Sequence, residues 1–305
     1  VDSGGHSFTM NADTDSSTNE KVKSTGKLST VVTTVVVTLT VSAAIFAVVW
    51  FAVYNPDTTN YSTLPTTPSG YPVGVTSNSE PSGMAPPAAN ALAGYVMKYE
   101  NDFTGTLLPP GWAVFTGVPG GDPGGQFGAS HVSVENGVLQ LATFKDPVYN
   151  DIWVTGGLCQ CGLAQTYGAY FVRSRVIGNG PNEAEVLWPK ANVWPPEIDF
   201  NETGGPTNAT SSTVHWAPGN NIDQRHLIIN MTKWHTWGVV WTPTAITYVV
   251  DGRVWGQITT NFEIPTIPMT LDFEQRTLCS LGRQCPRNPA YLDIDWVAEY
   301  SPSST

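Results

Sequence analysis

Apolar and polar positions divide the chain into regimes. Residues 1–27 are rich in Ser, Thr, Gly and Asp and show no apolar period, which predicts a disordered tail. Residues 28–55 carry no charge, and 31–54 are apolar apart from Thr and Ser. At about 1.5 Å per helical residue this run spans a hydrocarbon core of about 30 Å, which predicts one transmembrane helix. A cleaved signal peptide has an apolar region of only about 7–15 residues and a small-x-small site, which Tyr54, Asn55 and Pro56 do not supply. An uncleaved signal anchor is therefore expected, with secretion as the outcome if it is cut. Lys21, Lys23 and Lys27 flank its N-terminal side, so the positive-inside rule leaves the tail in the cytoplasm and the rest outside the cell membrane.

Residues 56–99 are dense in Pro, Ser, Thr and Gly without a sustained apolar pattern, the composition of a flexible linker. Residues 100–301 alternate, and 302–305 form a short tail. Asn136-Gly137 and Asp251-Gly252 each sit between two alternating runs, which predicts two hairpins. Further strands are expected at 169–176, 185–188, 198–202, 212–216, 236–242, 269–273 and 291–300. No long helical period interrupts them. So many short strands imply an all-β antiparallel sandwich or barrel.

Composition sharpens this. The net charge of −11 in 305 residues disfavours nucleic acid, whose phosphates such a chain repels. Ten of the eleven Trp lie beyond residue 99, which marks that segment as the folded part. Cys159, Cys161, Cys279 and Cys285 lie on the side of the anchor where disulfides persist. In a strand Cys159 and Cys161 stand about 6–7 Å apart, too far to bridge. Two arrangements stay open: Cys279 with Cys285 and a reduced pair, or cross-links between the pairs. Paired CxxC spacing is absent, so zinc is not indicated.

The densest chemistry lies in Trp194-Pro195-Pro196-Glu197-Ile198-Asp199-Phe200-Asn201-Glu202. No Lys or Arg falls between Lys190 and Arg225 to neutralise the three acids locally. In a strand Glu197 and Asp199 share one face while Ile198 and Phe200 face the core. Glu202 belongs on the opposite face unless a bulge near Asn201 shifts the register by one residue. A pair of Glu on one face suits a retaining glycosidase, and Asp199 between them crowds negative charge so that a neighbour keeps its proton. A solvated edge strand is the plain alternative, but such faces mix signs. No EF-hand loop is present, so no cofactor is expected and structural calcium is not indicated. Asn201 and Asn208 also fit the N-x-S/T pattern, but a glycan at Asn201 would block the cleft, and none is inferred.

Glu197-Ile-Asp-Phe-Asn-Glu202 resembles the E-x-D-x-x-E signature of glycoside hydrolase family 16, in the bulged laminarinase-like form. The resemblance extends through Gln165-Thr-Tyr-Gly168 with Arg173, Ser212-Thr-Val-His215-Trp216, Trp234-His-Thr-Trp237, and Asp293-Ile-Asp295-Trp296. It implies a concanavalin-like β-jelly-roll sandwich with Glu197 as nucleophile, Asp199 as assisting carboxylate and Glu202 as acid/base. It places His215 beside the catalytic strand, to bind sugar or tune an acid. Trp188, Trp194 and Trp216 are candidate sugar platforms, since aromatic faces pack on pyranose C–H faces. Trp237, Trp241 and Trp296 sit in strand patterns and are expected in the core. The chain departs from the family at Val172, at Asn201, where the bulge residue is usually apolar, and at 182–189, which lacks the laminarinase cleft motif. The resulting expectation is a monomeric, membrane-anchored enzyme cleaving internal bonds of a β-linked polysaccharide, a β-1,3- or mixed-linkage β-1,3-1,4-glucan. A cell-wall transglycosylase and a non-catalytic carbohydrate-binding or adhesion module are the alternatives.

Overall fold

The structure is a computed structural model and describes residues 61–303 apart from 217–218 and 283–284. The expected tail and membrane helix lie outside the described residues. Among those described, no helix is long and apolar enough to cross a membrane. Strands dominate. The N-terminal ones are β1 (Tyr61–Thr63), β2 (Val75–Thr76), β3 (Met84–Ala85), β4 (Tyr95–Asn101) and β5 (Ala113–Val114). Next come β6 (Val132–Glu135), β7 (Val138–Asp146), β8 (Ile152–Val154), β9 (Gly157–Cys159), β10 (Gly168–Ile177) and β11 (Asn182–Pro189). They are followed by β12 (Glu197–Glu202), β13 (Ala209–Trp216), β14 (Asn221–Ile228) and β15 (His235–Trp241). The last are β16 (Ile246–Val250), β17 (Arg253–Ile258), β18 (Met269–Arg276) and β19 (Ala290–Pro302).

These form an all-β sandwich. The first sheet has eight strands in the order β1-β14-β13-β12-β11-β18-β9-β5, and the second is built on β17-β16-β15-β10-β19-β7-β6. Alternation sends Leu187, Ile198, Phe200, Val214, Leu271 and Phe273 from the first sheet to meet Val172, Trp237, Trp241, Tyr248 and Val297 from the second. Each such side chain contributes about 1.5–3 kcal/mol by leaving water, so this interface dominates stability. Trp237, Trp241 and Trp296 are fully buried, as their strand patterns predict. Both expected hairpins form. Asn136-Gly137 and Asp251-Gly252 all have positive φ, from 47° to 77°, the conformation a two-residue turn of this hand requires.

The structure corrects the sequence reading in two places. Residues 61–99 are no free spacer. β1 extends the first sheet beside β14, β4 pairs with β19, and Tyr71, Leu92, Tyr95 and Met97 pack on the outer face of the second sheet. Trp296 Nε1 donates to the Met84 carbonyl, and Thr236 Oγ1 to that of Val73. The Pro/Ser/Thr composition hid this because the apolar residues before β4 are irregularly spaced, although they all meet one cluster on that face. Second, Cys159 does bond Cys161, alongside Cys279–Cys285. β9 ends at Cys159, and the turn that follows brings the two Cα atoms to 5.0 Å, closer than a continuing strand allows. β14 also lay outside the expected strands, because its polar residues Asp223, Gln224 and Arg225 interrupt the apolar alternation.

Candidate active site

β12 runs between β11 and β13, and its register carries the bulge. Val186 opposes Asp199 but Glu185 opposes Asn201, so Phe200 is the inserted residue on that side. Across β13, Asp199 opposes Thr213 and Glu202 opposes Ser211. Phe200 and Asn201 consequently both lie buried. Glu202 returns to the outer face beside Glu197 and Asp199, where the Asn182 amide on that face of β11 reaches it.

Four side chains complete the centre. Trp194, 42% exposed, donates its Nε1–H to Glu197 Oε2 at 2.7 Å and lies 5.7 Å, ring to ring, from His215. His215 opposes Glu197 in register. Its Nε2 lies 3.0 Å from Asp199 Oδ2, and its Nδ1 lies 2.6 Å from Asn220 Oδ1. The Asn182 amide donates to Glu202 Oε1 at 2.9 Å, while Arg276 Nη2 stands 3.6 Å from the same oxygen.

Burial first, then the adjacent Asp199 carboxylate, push Glu197 up to about 8; His215 and the Trp194 N–H pull the other way. Asp199 is raised by burial and by Glu202. Burial acts to lower His215, but its hydrogen bond to Asp199 and the two carboxylates outweigh that and hold it up at about 9. The imidazole and the two carboxylates therefore titrate as one coupled set, in steps that belong to the cluster rather than to any one residue. Glu197, Asp199 and His215 bring potential ligand atoms within 4.8 Å of one another, so this cluster could hold a cation. The same His215 and Asp199 atoms already bond each other.

Sequence reasoning expected the strand at 269–273 but missed the polar residues that β18 brings to the site. Thr270, Asp272, Glu274 and Arg276 oppose Trp188, Val186, Ala184 and Asn182, which places them on the face that carries Glu202. Glu274 lies 3.0 Å from the Arg276 guanidinium, and Thr270 Oγ1 donates to Asp272 at 2.8 Å. Burial raises both Asp272 and Glu274. Their alternation with Leu271 and Phe273 was the available signal. Of the expected sugar platforms, the structure brings Trp194 to the carboxylates and leaves Trp188 on the same face, with its Nε1–H on Asn192. Trp216 is not brought there. It follows His215 on the opposite side of β13, packs against the core and meets Phe262 edge-on at 5.0 Å.

This bulged acidic strand can be compared with known proteins. Endo-1,3-1,4-beta-glycanase ExsH of Rhizobium meliloti (strain 1021) is 28% identical over 185 residues, 55% of this chain and 39% of the relative. The chain thus spans about two-fifths of that relative's length. The endo-1,3-beta-glucanase (laminarinase) catalytic domain of Thermotoga petrophila RKU-1 shares the fold with TM-score 0.58 at 18% identity, over 69% of this chain and 99% of that one. A beta-1,3-1,4-glucanase (lichenase) derived from a mouse hindgut metagenome does so with TM-score 0.56 at 20% identity, over 67% and 99%. The family described as Glycosyl hydrolases family 16 matches residues 124–296, more than half of the chain, and the chain belongs to that family.

Proposed function

We propose that the domain is a retaining endo-glycosidase acting on a β-linked glucan with β-1,3 or mixed β-1,3-1,4 linkages. The observation that carries this reading is the β12 bulge, which returns Glu202 to the face of Glu197 and Asp199. In the first step Glu202 protonates the leaving oxygen while Glu197 attacks the anomeric carbon. In the second Glu202 deprotonates the water that releases the sugar. Trp194 orients Glu197 through its Nε1–H, and the hydrogen-bonded Asp199–His215 pair beside it takes up the proton that Glu197 sheds to attack as the carboxylate. As positive charge develops on the sugar ring, the transition state favours the ionised form of Glu197, so the site binds that state more tightly than the ground state. Trp194 and Trp188 supply faces for pyranose rings. The names of the relatives, a beta-glycanase, a laminarinase and a lichenase, support a β-glucan over other polysaccharides.

We also propose that residues 28–55 hold this domain at the outer side of the cell membrane. Their uncharged run and the two disulfides, which persist in oxidising compartments, support that placement.

The test incubates the protein with laminarin, lichenan and a galactan, using Glu197→Gln as control. The expected result is short oligosaccharides from one glucan, absent with the variant, and an initial product of unchanged anomeric configuration. Binding without turnover, equal in both proteins, would leave a carbohydrate-binding module. Products longer than the substrate would indicate transglycosylation.

A further inference from the structure

The bulge that places Glu202 has a cost: it interrupts the β12–β13 ladder between Asp199 and Glu202. Backbone groups freed this way need partners when buried. Three consecutive hydroxyls on β13 supply them. Ser212 Oγ donates to the Phe200 carbonyl at 2.8 Å and Ser211 Oγ to the Glu202 carbonyl at 3.2 Å. Thr210 Oγ1 accepts the Glu202 backbone N–H at 3.1 Å and donates to Asn201 Oδ1 at 2.7 Å. Asn201 is the residue where the bulge departs from an apolar type. Asn201 opposes Glu185 of β11 in register, and Glu185 accepts from Ser174 Oγ of the second sheet. The peptide of the candidate acid is thus held at both its N–H and its C=O, and the hold continues through the core.

We propose that Thr210, Ser211 and Asn201 are positioning residues for Glu202, and that this polar clamp sets where the acid/base carboxyl meets the leaving oxygen. The proposal rests on the glycosidase reading above. An apolar bulge residue offers no partner for Thr210, whose single proton would turn elsewhere. Asn201 Oδ1 at 2.7 Å is the nearest acceptor for that proton, ahead of the Glu202 carbonyl at 3.1 Å, which leaves a hydroxyl lone pair for the Glu202 N–H. Small displacements of a proton donor are expensive, since a misplacement of about 1 Å can lower a rate about 100-fold.

The discriminating measurement uses two substrates. A polysaccharide has a poor leaving group and needs protonation, whereas a dinitrophenyl β-glycoside of the corresponding disaccharide leaves without it. In Thr210→Val, kcat/KM on the polysaccharide is expected to fall about 10- to 100-fold with KM little changed. On the dinitrophenyl glycoside it stays within about threefold of wild type, because protonation no longer limits the first step. Thr210→Ser, which keeps the hydroxyl, restores the polysaccharide rate. Ser211→Ala, at a half-buried position, gives the same pattern at smaller size and serves where Thr210→Val does not fold. Equal losses on both substrates, or no loss on either, in variants that fold would overturn the proposal while wild-type activity upholds the glycosidase reading. A wild-type chain inert on both substrates would overturn that reading, and the clamp's role with it.

Discussion

The outer face of the first sheet presents Glu197, Asp199, Glu202, His215, Glu274 and Arg276, with Trp194 above them. The outer face of the second presents Phe171, Val240, Trp296, Ala298 and Tyr300, and residues of the 71–97 stretch cover it. Both faces follow the same alternation behind the same core. An apolar face of that size does not stay in water, and here the chain's own N-terminal stretch covers it. The acidic face shows the opposite economy. Closing it with apolar groups would strand its charges, and even open it raises the carboxyls of Glu197, Asp272 and Glu274 by burial.

Glu197→Gln tests the division most severely. Loss of a nucleophile removes on the order of 10⁴-fold or more in turnover. Stability at neutral pH should hold or rise, because the variant no longer buries an ionisable carboxyl. Activity assays and a thermal melt of the same sample check both halves, and a large fall in Tm would break the assignment of this face to chemistry alone.

Trp296→Ala is the converse. The ring is fully buried, with its Nε1–H on the Met84 carbonyl, so truncation is expected to cost about 3–5 kcal/mol. Denaturant unfolding measures that loss, and kcat per folded molecule should stay at the wild-type value. A variant that keeps its stability but loses kcat would show that the covered face communicates with the open one.

The two faces were not equally legible in the sequence. The acidic strand could be read from Glu197 to Glu202 because alternation, the unneutralised run of acids and a one-residue register problem all bear on the same six positions. β18 carried an equally regular alternation at Asp272, Glu274 and Arg276, but its acids gain meaning only beside β11, and pairing across distant strands is not written locally. The cover over the second sheet could not be read, because Tyr71 and Leu92 follow no period and are matched to a surface made by β10, β15 and β19. Cys159–Cys161 failed for a related reason: the strand rule applied up to Cys159 and stopped there. Trp216 follows the acidic motif in sequence, but it is adjacent to His215 on one strand, and adjacent residues of a strand point opposite ways.

Between the faces, Glu185 sharpens the comparison. Burial pushes its carboxyl from an ordinary 4.5 up to about 8, although Ser174 donates to it. Between those values the folded protein keeps a proton that the unfolded chain releases. The unfolded state then binds fewer protons, so stability falls as pH rises through this window and levels off above it. Glu185→Gln preserves hydrogen-bonding capacity and removes the titration. Its urea midpoint should therefore vary less between about pH 4.5 and 8, with on the order of 2–4 kcal/mol less stability lost across the window. Glu183, raised to about 8 by the same burial, retains part of the slope. An unchanged slope in Glu185→Gln would mean that the core between the two faces does not hold this proton.

The smallest effect is expected at the edge of the open face. Cys159 opposes Asp272 of β18 in register, and Lys190, just beyond β11, donates to the Cys161 carbonyl at 2.6 Å. The bridge therefore shapes a turn that ties β9 to the end of the strand bearing Trp188. It closes a loop of only three residues, so chain entropy assigns it about 1–2 kcal/mol, near the bottom of the range for disulfides. Cys159→Ala combined with Cys161→Ser should lower Tm slightly and leave kcat unchanged. If the turn holds Trp188 for a sugar ring, KM for the polysaccharide rises while hydrolysis of a short aryl glycoside does not. Equal KM values in the two proteins would confine the open face's working surface to the strands around Glu197 and Glu202.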